Sequence, residues 1–372
     1  MKFFEGLKKF SFSPVGIGTT KKKFETETID FEVRYLHQNI LYPILNKIPF
    51  SYSLQLTINR DFSAYENKLR NFHKSTDDID IFHTADTYYP FSSQCVKTGK
   101  PTIITQWENI PFCRNTSPYR ENAVTTRREA DHFIAITERA KCALEIEGVP
   151  GDKISVIPPG IDIEHFKQYS KAQIISTKDM LNIPKNVFVV LFIGRIVWEK
   201  GISFLLFSFK KLVEKVGKNA QLIIIGNGPY EDQMNFLINE LSLKNHIQHI
   251  RKIPYDHIEK YYNIANVFCL PSIVKENWQE QLGFVFLEAM ACGKPIIATK
   301  SGSIQEVVSD NKNGLLVQNG DILELYDALL KVYNDKEDII DNIQKNNIIT
   351  VREKFNKATN IKKIVKIYNR VK

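Results

Sequence analysis

From residue 187 onward, short β-branched apolar runs alternate with longer amphipathic stretches, and this alternation restricts the possible folds more than any other feature of the chain. Val187 to Ile193 (VFVVLFI) is apolar at consecutive positions, as a strand buried on both faces must be. After Gly194, the segment from Gly201 to Val216 sets Phe204, Leu205, Phe209, Leu212 and Val216 at helical spacing. Leu222 to Ile225 is the next strand; it empties into Gly226-Asn227-Gly228-Pro229 and a helical run through Met234, Leu237 and Leu241. Ile247 to Ile250, Val267 to Leu270, Ile296 to Ala298 and Leu315 to Val317 complete the series. Strands apolar on both faces and separated by helices predict an α/β fold, a doubly wound parallel sheet over residues 181–350.

The first half is less regular but of the same class. Asp80 to His83, Thr102 to Thr105, His132 to Ile136 and Ile154 to Pro158 read as strands, and residues 167–186 as the link between two domains, with the first domain over 1–180. At the other end, Val351, Phe355, Ala358, Ile361, Val365 and Tyr368 form one apolar stripe, predicting a basic amphipathic helix over 351–372. With 43% hydrophobic residues in a chain of 372, disorder is excluded, and two domains of ordinary size fit the length. No apolar run approaches the ~18–20 residues that span a bilayer. The start, MKFFEGLKKF, lacks the apolar core and cleavage site of an export signal, so a cytoplasmic location is expected. Cys95, Cys113, Cys142, Cys269 and Cys292 are scattered and form no C-x-x-C, which argues against a disulfide framework or zinc site.

A formal charge of +8 invites a nucleic-acid reading. The charge is confined, however: residues 352–372 carry +7 and residues 1–23 carry +5, so the body between them carries −4. Cationic ends on a mildly acidic body disfavour nucleic acid as the partner. The lysine face of the last helix and the Lys/Phe-rich start (Phe3, Phe4, Lys8, Lys9, Phe10) suit peripheral contact with an anionic membrane.

Four segments lie where α/β proteins bind ligands, beyond the carboxyl ends of strands. The first, Phe192 to Gly201 (FIGRIVWEKG), carries Arg195 and Lys200, a planar fork of donors and a point charge that together suit a diphosphate. Two solvated loop cations are the plain alternative. Gly226-Asn227-Gly228-Pro229 is a glycine-rich turn without the third glycine of a dinucleotide fingerprint. The third segment runs from Trp278 to Pro295, with a loop carboxylate, Glu280, before Gly283 and a helix ending at Gly293. Backbone N–H groups near Gly283 to Val285 suit a phosphate. Glu288 falls on an otherwise apolar helix face, where it should be exposed or accept hydrogen bonds from sugar hydroxyls. Acids favoured by the helix dipole are the competing reading of that pair. The fourth segment is Ser155 to Asp162 (SVIPPGID), a strand and a Pro-Pro-Gly turn.

In their order and spacing, VIPPGID, FIGRIVWEKG, LIIIGNGP, VFCLPS, the Glu-x7-Glu element from Glu280 to Glu288 and EAMACGKPIIA resemble the retaining nucleotide-sugar glycosyltransferases of family 4, group 1. The resemblance covers about Asp131 to Val317. It implies a GT-B fold, two Rossmann-like doubly wound domains facing across a cleft, with the donor on the second. It further implies that Arg195 and Lys200 hold the donor diphosphate, Glu280 meets the donor-sugar hydroxyls and Glu288 the ribose. Gly283, Phe284 and Val285 would lie against phosphates and sugar, and the base near Arg251, Lys252 and Ile253. The co-substrate would be a UDP- or GDP-linked sugar and the acceptor a hydroxyl of a glycan, lipid or small molecule. No cofactor and no catalytic metal are expected, in keeping with the lack of a D-x-D pattern, and the resemblance implies that the 351–372 helix packs its apolar stripe back on the N-terminal domain.

The first half departs from the family. In place of a Gly-Gly loop it has Pro14 to Thr19 with Gly16 and Gly18, and the D-I-V-H-x-H strand end reads Asp80 to Asp86, keeping His83 and losing the second histidine. The T-x-H-D element reads Thr105-Gln106-Trp107-Glu108, so Trp107 stands at the histidine position. His83, Asp86, Gln106, Trp107 and Glu108 are therefore candidate site residues without assigned roles, and a satisfied structural histidine competes for His83. The aromatic stretches Asp86 to Phe91 and Trp107 to Phe112 fit an acceptor wall or a core equally well. A non-catalytic nucleotide-sugar sensor or partner subunit, and another GT-B reaction such as epimerisation, stand as alternatives to transfer.

Overall fold

Every pairing between strands among the described residues is parallel. The structure, a computed structural model, describes residues 72, 76–117, 119–334 and 339–372, together with the backbone of 15–19 and 32–36. The Lys/Phe-rich start and Pro14 lie outside those residues. The chain divides into two compact units, Met1–Pro159 with Ala358–Lys372, and Gly160–Lys357.

In the first unit, β3 (Phe82–Ala85), β4 (Thr102–Gln106), β5 (His132–Ala135) and β6 (Ile154–Val156) form a sheet in chain order. Helices α1 (Pro90–Val96), α2 (Tyr119–Glu129) and α3 (Glu138–Ile146) connect them. A separate pair, β1 (Val15–Thr19) with β2 (Glu32–Leu36), matches Gly16 to Val33 and Gly18 to Tyr35. These two glycines therefore lie within a strand, not in a Gly-Gly loop, because their backbone is committed to the β2 register.

The second unit is the doubly wound sheet expected from its apolar runs. Its strands are β7 (Phe188–Ile193), β8 (Ala220–Ile225), β9 (Ile247–Ile250), β10 (Val267–Leu270), β11 (Ile296–Thr299) and β12 (Leu315–Val317). They lie in the order β12-β11-β10-β7-β8-β9. Its helices are α4 (Lys171–Met180), α5 (Ile202–Val216), α6 (Glu231–Glu240), α7 (Glu259–Ile264), α8 (Phe284–Ala291), α9 (Ile304–Val307), α10 (Ile322–Asn334) and α11 (Ile339–Lys354). All six β7 residues are buried, and Leu205, Phe209 and Leu212 of α5 are buried at the helical spacing seen in the sequence. Each such side chain contributes about 1.5–3 kcal/mol on burial.

The boundary differs from the expected 180/181. Residues 167–186 are not a link: they contain α4, closed by a capping box in which the Ser170 hydroxyl accepts from the Gln173 N–H and the Gln173 side chain accepts from the Ser170 N–H. Asn263 ties this segment to the second unit, accepting from the Tyr169 N–H at 2.8 Å and donating to the Lys167 carbonyl at 3.0 Å. The single helix expected over 351–372 is likewise two. The Phe355 carbonyl accepts from the Ile161 N–H at 2.7 Å, and the Lys357 N–H donates to the Ile161 carbonyl at 3.2 Å. Those bonds divert two backbone groups from the helical ladder, so α11 ends at Lys354 and α12 (Lys357–Val371) starts afresh. The apolar face of α12 then lies on the first unit's sheet, where Ile361, Ile364, Val365 and Tyr368 pack with Ile103, Ile134 and Ile157.

Candidate functional site

Chain order reverses in the second sheet where β7 lies beside β10. The loops leaving adjacent strands on either side of such a switch diverge and leave a crevice for a ligand. Here the two loops are Gly194 to Gly201 after β7 and Pro271 to Gly283 after β10. Several bonds bind them together. The Ile273 N–H donates to the Glu199 carbonyl at 2.8 Å, and Lys275 pairs with Glu199 at 2.9 Å while lying 5.0 Å from the Trp198 ring.

Lys200 and Glu280, 80 residues apart in the chain, meet at 2.6 Å. Both are largely buried: the side chains are 14% and 6% exposed. The Ser272 hydroxyl donates to the same Glu280 oxygen at 2.7 Å, and the Lys200 ammonium lies 5.1 Å from the Trp278 ring. The Glu280 carbonyl accepts from the Ser303 N–H at 2.9 Å, which anchors this loop to the turn after β11. Arg195 is exposed on the β7 loop, and its side chain makes no hydrogen bond to the described residues. One cation is thus pinned by a buried carboxylate and a second stands toward solvent.

The glycine turn after β8 has a packing reason. Gly226 has φ +142°, and a Cβ on it would fall on the Gly194 carbonyl oxygen; one on Gly228 would fall on that of Ile196. These contacts hold the β8 turn against the β7 loop. Beside it, the Asn227 amide donates to the Arg251 carbonyl at 3.1 Å, and exposed Arg251 pairs with Glu231 at 2.9 Å. Lys252 is exposed and Ile253 half-buried. Gly283, at φ +75°, opens α8, whose first turn carries no side-chain cap; Phe284 is exposed and Val285 half-buried.

Glu288 differs from expectation. It is buried, and its hydrogen bonds come from the chain itself: the Tyr262 hydroxyl at 2.6 Å and the Tyr255 hydroxyl. Burial pushes its carboxyl up, and the two phenols pull it back. Sequence reasoning had no signal for these tyrosines, which come from α7 and the turn before it. Ser272 was visible in the VFCLPS element, but nothing there marked its hydroxyl as a partner of Glu280.

In the first unit, Asp86 organises the loop after β4. It sits at φ +50°, and its Oδ1 accepts from the Trp107 N–H at 2.8 Å and the Glu108 N–H at 3.1 Å. Burial raises its carboxyl to about 6. The Glu108 side chain accepts from the Asn109 and Ile110 N–H groups, and the Gln106 amide donates to the Glu108 carbonyl at 3.2 Å. Trp107 is half-buried. His83 uses both ring nitrogens within the unit, on the Tyr368 hydroxyl at 2.5 Å and the Thr105 hydroxyl at 2.6 Å. It therefore joins α12 to the sheet. Among the described residues, no three His, Cys, Asp or Glu side chains converge on a metal position.

His83 and His132 make the first unit acid-sensitive. Burial lowers His83 to about 4; burial, then Arg370 and Lys153, lower His132 to about 4. Below the ordinary value of 6.5 the unfolded chain takes up protons that the folded chain refuses, so stability falls as pH drops from 6.5 toward 4. We expect a lower melting temperature at pH 5 than at pH 7, and a smaller difference in His132→Gln. An equal difference in that variant would remove His132 from the account.

The fold is that of the two-domain, Rossmann-like GT-B class, as three-dimensional likenesses show. HepE of Anabaena, crystallised with UDP and glucose, matches with a TM-score of 0.75 at 19% identity, over 98% of this chain and 94% of that one. A glycosyltransferase of Rickettsia africae matches at 0.72 and 21%, over 100% and 93%. The family model of group 1 glycosyl transferases matches residues 174–350, and that of glycosyltransferase family 4 matches residues 25–165. The chain belongs to the group 1, family 4-like glycosyltransferases. A D-inositol 3-phosphate glycosyltransferase of Corynebacterium urealyticum is 30% identical over 56% of this chain and 50% of its own. A GDP-mannose-dependent alpha-(1-6)-phosphatidylinositol monomannoside mannosyltransferase of Mycolicibacterium smegmatis is 30% identical over 46% and 45%. The chain thus spans about half the length of the curated relatives it matches.

Proposed function

We propose that the protein is a retaining, metal-independent glycosyltransferase that moves a hexosyl-type sugar from a UDP- or GDP-sugar to a hydroxyl acceptor. The observation that carries this reading is the buried Lys200–Glu280 pair at the β7/β10 switch point, with exposed Arg195 on the same loop. An ammonium has three donors, and Glu280 fixes its position while leaving donors for a diphosphate. The names of the relatives, a GDP-mannose-dependent enzyme among them, and UDP in HepE support a nucleotide-sugar donor.

In the proposed step the bond from the sugar C1 to the diphosphate oxygen breaks, and the acceptor oxygen bonds to C1 on the same face. The acceptor's proton passes to a leaving-group oxygen. No protein nucleophile is needed; Arg195, Lys200 and the first turn of α8 stabilise charge growing on the diphosphate. Glu280 takes the sugar hydroxyls, and the ribose lies toward Glu288. The test is incubation with UDP- and GDP-sugars in excess EDTA, with the anomer of the product read by NMR. Transfer or slow hydrolysis with retention is expected. An inverted product would sink the retaining assignment, and binding without turnover, unchanged by Glu280→Ala, would turn the reading to a sensor.

Peripheral membrane contact belongs to the same proposal. The apolar face of α12 is spent on the sheet, leaving Lys362, Lys363 and Lys366 exposed. No helix among the described residues is long and apolar enough to cross a membrane. Attraction would therefore be electrostatic, about 1 kcal/mol per lysine near an anionic surface, and screened by salt. Phosphatidylglycerol vesicles are expected to sediment the protein at low salt and release it at high salt. Failure to sediment at low salt rules the contact out.

A further inference from the structure

Two of the chain's three tryptophans stand on the loops of the β7/β10 switch point, and each lies against a lysine of the opposite loop. The β7 loop supplies Trp198 and Lys200, the β10 loop Lys275 and Trp278. Lys275 lies 5.0 Å from the centre of the Trp198 ring and pairs with Glu199 at 2.9 Å. Lys200 lies 5.1 Å from the centre of the Trp278 ring and pairs with Glu280 at 2.6 Å. An indole and a carboxylate of one loop hold the lysine of the other, and the arrangement is reciprocal.

The two halves differ in burial. Trp198 is 40% exposed and the Lys275 side chain 41%, whereas Trp278 is half-buried and the Lys200 side chain 14% exposed. A cation stripped of water gains roughly twice as much from a ring face as an exposed one, and tryptophan offers the strongest face. The inner contact is therefore the stronger of the two.

Geometry gives that inner contact a task. An ion pair to one carboxylate oxygen is a pivot, about which a flexible lysine stem can still swing. A second contact, from a ring on the same loop as Glu280, removes that freedom. Trp278 is itself held by a short hairpin. In it the Lys275 N–H donates to the Trp278 carbonyl at 2.8 Å, and the Trp278 N–H to the Lys275 carbonyl at 3.3 Å. Lys275, at the other end of the hairpin, is the residue gripped by Trp198 and Glu199. The outer contact seats the hairpin, and the hairpin carries the ring that meets Lys200.

We propose that Trp278 is a positioning residue of the transfer reaction, fixing the Lys200 ammonium together with Glu280, and that the Trp198–Lys275 contact keeps it seated. The inference rests on the transferase reading above, in which Lys200 meets charge growing on the diphosphate. A cation held at two points needs no reorganisation as that charge develops, so the benefit falls on turnover more than on nucleotide binding.

The test is a double-mutant cycle on initial rates at saturating nucleotide sugar, beside titration of the tryptophan fluorescence with UDP and GDP. Trp278→Leu is expected to lower kcat about tenfold and Trp278→Phe, which keeps a weaker ring, about threefold. Nucleotide affinity should stay within about threefold of the parent in both, a split that points to the transition state. In a Lys200→Met background, Trp278→Leu should slow transfer no further, because the group it acts through is gone. Trp198→Leu, at an exposed ring, should slow the parent about threefold and be equally silent in that background, which keeps the test decisive if Trp278→Leu fails to fold. Nucleotide should change the emission of the parent, and the change should disappear in Trp278→Phe. Equal slowing by Trp278→Leu with and without Lys200 would mean that the ring acts on the sugar directly, and would overturn the proposal. So would parental rates in both leucine variants, or an emission change that persists in Trp278→Phe. Each of those results leaves the transferase reading intact. An emission change that needs both Trp278 and Lys200, without turnover of any nucleotide sugar, would end the transferase reading and keep Trp278 as the residue that places Lys200. Neither binding nor turnover would end both.

Discussion

Lys200→Met is expected to slow sugar transfer by about 10²–10³-fold, the cost of removing one preorganised donor from developing negative charge. It should also lower stability by about 3 kcal/mol, for a separate reason. Lys200 and Glu280 are both largely buried and meet at 2.6 Å, so deleting the ammonium leaves a buried carboxylate without its cation, the Ser272 hydroxyl still donating to it. Glu280→Gln does the opposite, leaving a cation in place without its anchor. That variant should bind UDP or GDP nearly as well as the parent yet transfer slowly, because the loss falls on the sugar and on the position of Lys200. In the double variant neither charge is stranded, so its loss of stability should be smaller than the sum of the single losses by about 1–3 kcal/mol of coupling. Urea denaturation and initial rates, both at 25 °C, read these quantities. If Lys200→Met keeps more than a tenth of the parental rate, Lys200 does not act on the leaving group.

The second unit was readable because both faces of its sheet are covered: every residue of β7 had to be apolar, and the following helix had to carry its stripe at 3.6-residue spacing. The loops between those strands contained the residues of the switch point in order. Their partners were less legible, because contacts such as Tyr262 with Glu288 depend on which elements the sheet order makes adjacent. Periodicity also carries no information about backbone bonds from distant segments. The stripe from Val351 to Tyr368 is continuous across Phe355 and Asn356, yet Ile161 takes the backbone there and ends the helix. The miss at 167–186 was different. Ser170 and Gln173 at the spacing of a capping box were a local signal for α4, outweighed by a weak apolar pattern. In the first unit, no pattern distinguishes a histidine held by Tyr368 and Thr105 from one facing a ligand.

Gly201→Ala should be among the most damaging single-methyl changes available in this chain. Gly201 closes the turn Trp198–Lys200 at φ +70°, its N–H donating to the Trp198 carbonyl at 3.0 Å. A Cβ there would fall on the carbonyl oxygen of Pro271, the first residue after β10. Two costs therefore add. Left-handed backbone for a residue other than glycine costs about 1–3 kcal/mol, and the collision forces the β7 and β10 loops apart at the switch point. Gly99 separates them: its φ is +75°, and nothing lies within 4 Å of the added methyl. Gly99→Ala should thus lose only the backbone part, about 1 kcal/mol, and keep full activity. Gly201→Ala should lose about 3 kcal/mol or more, and a shift of ~1 Å at neighbouring Lys200 should slow transfer about 10²-fold. Denaturation midpoints and rates of the two variants, measured side by side, decide the matter. Equal losses would mean that the contact with Pro271 relaxes freely, and that the distance between these two loops does not set the position of Lys200.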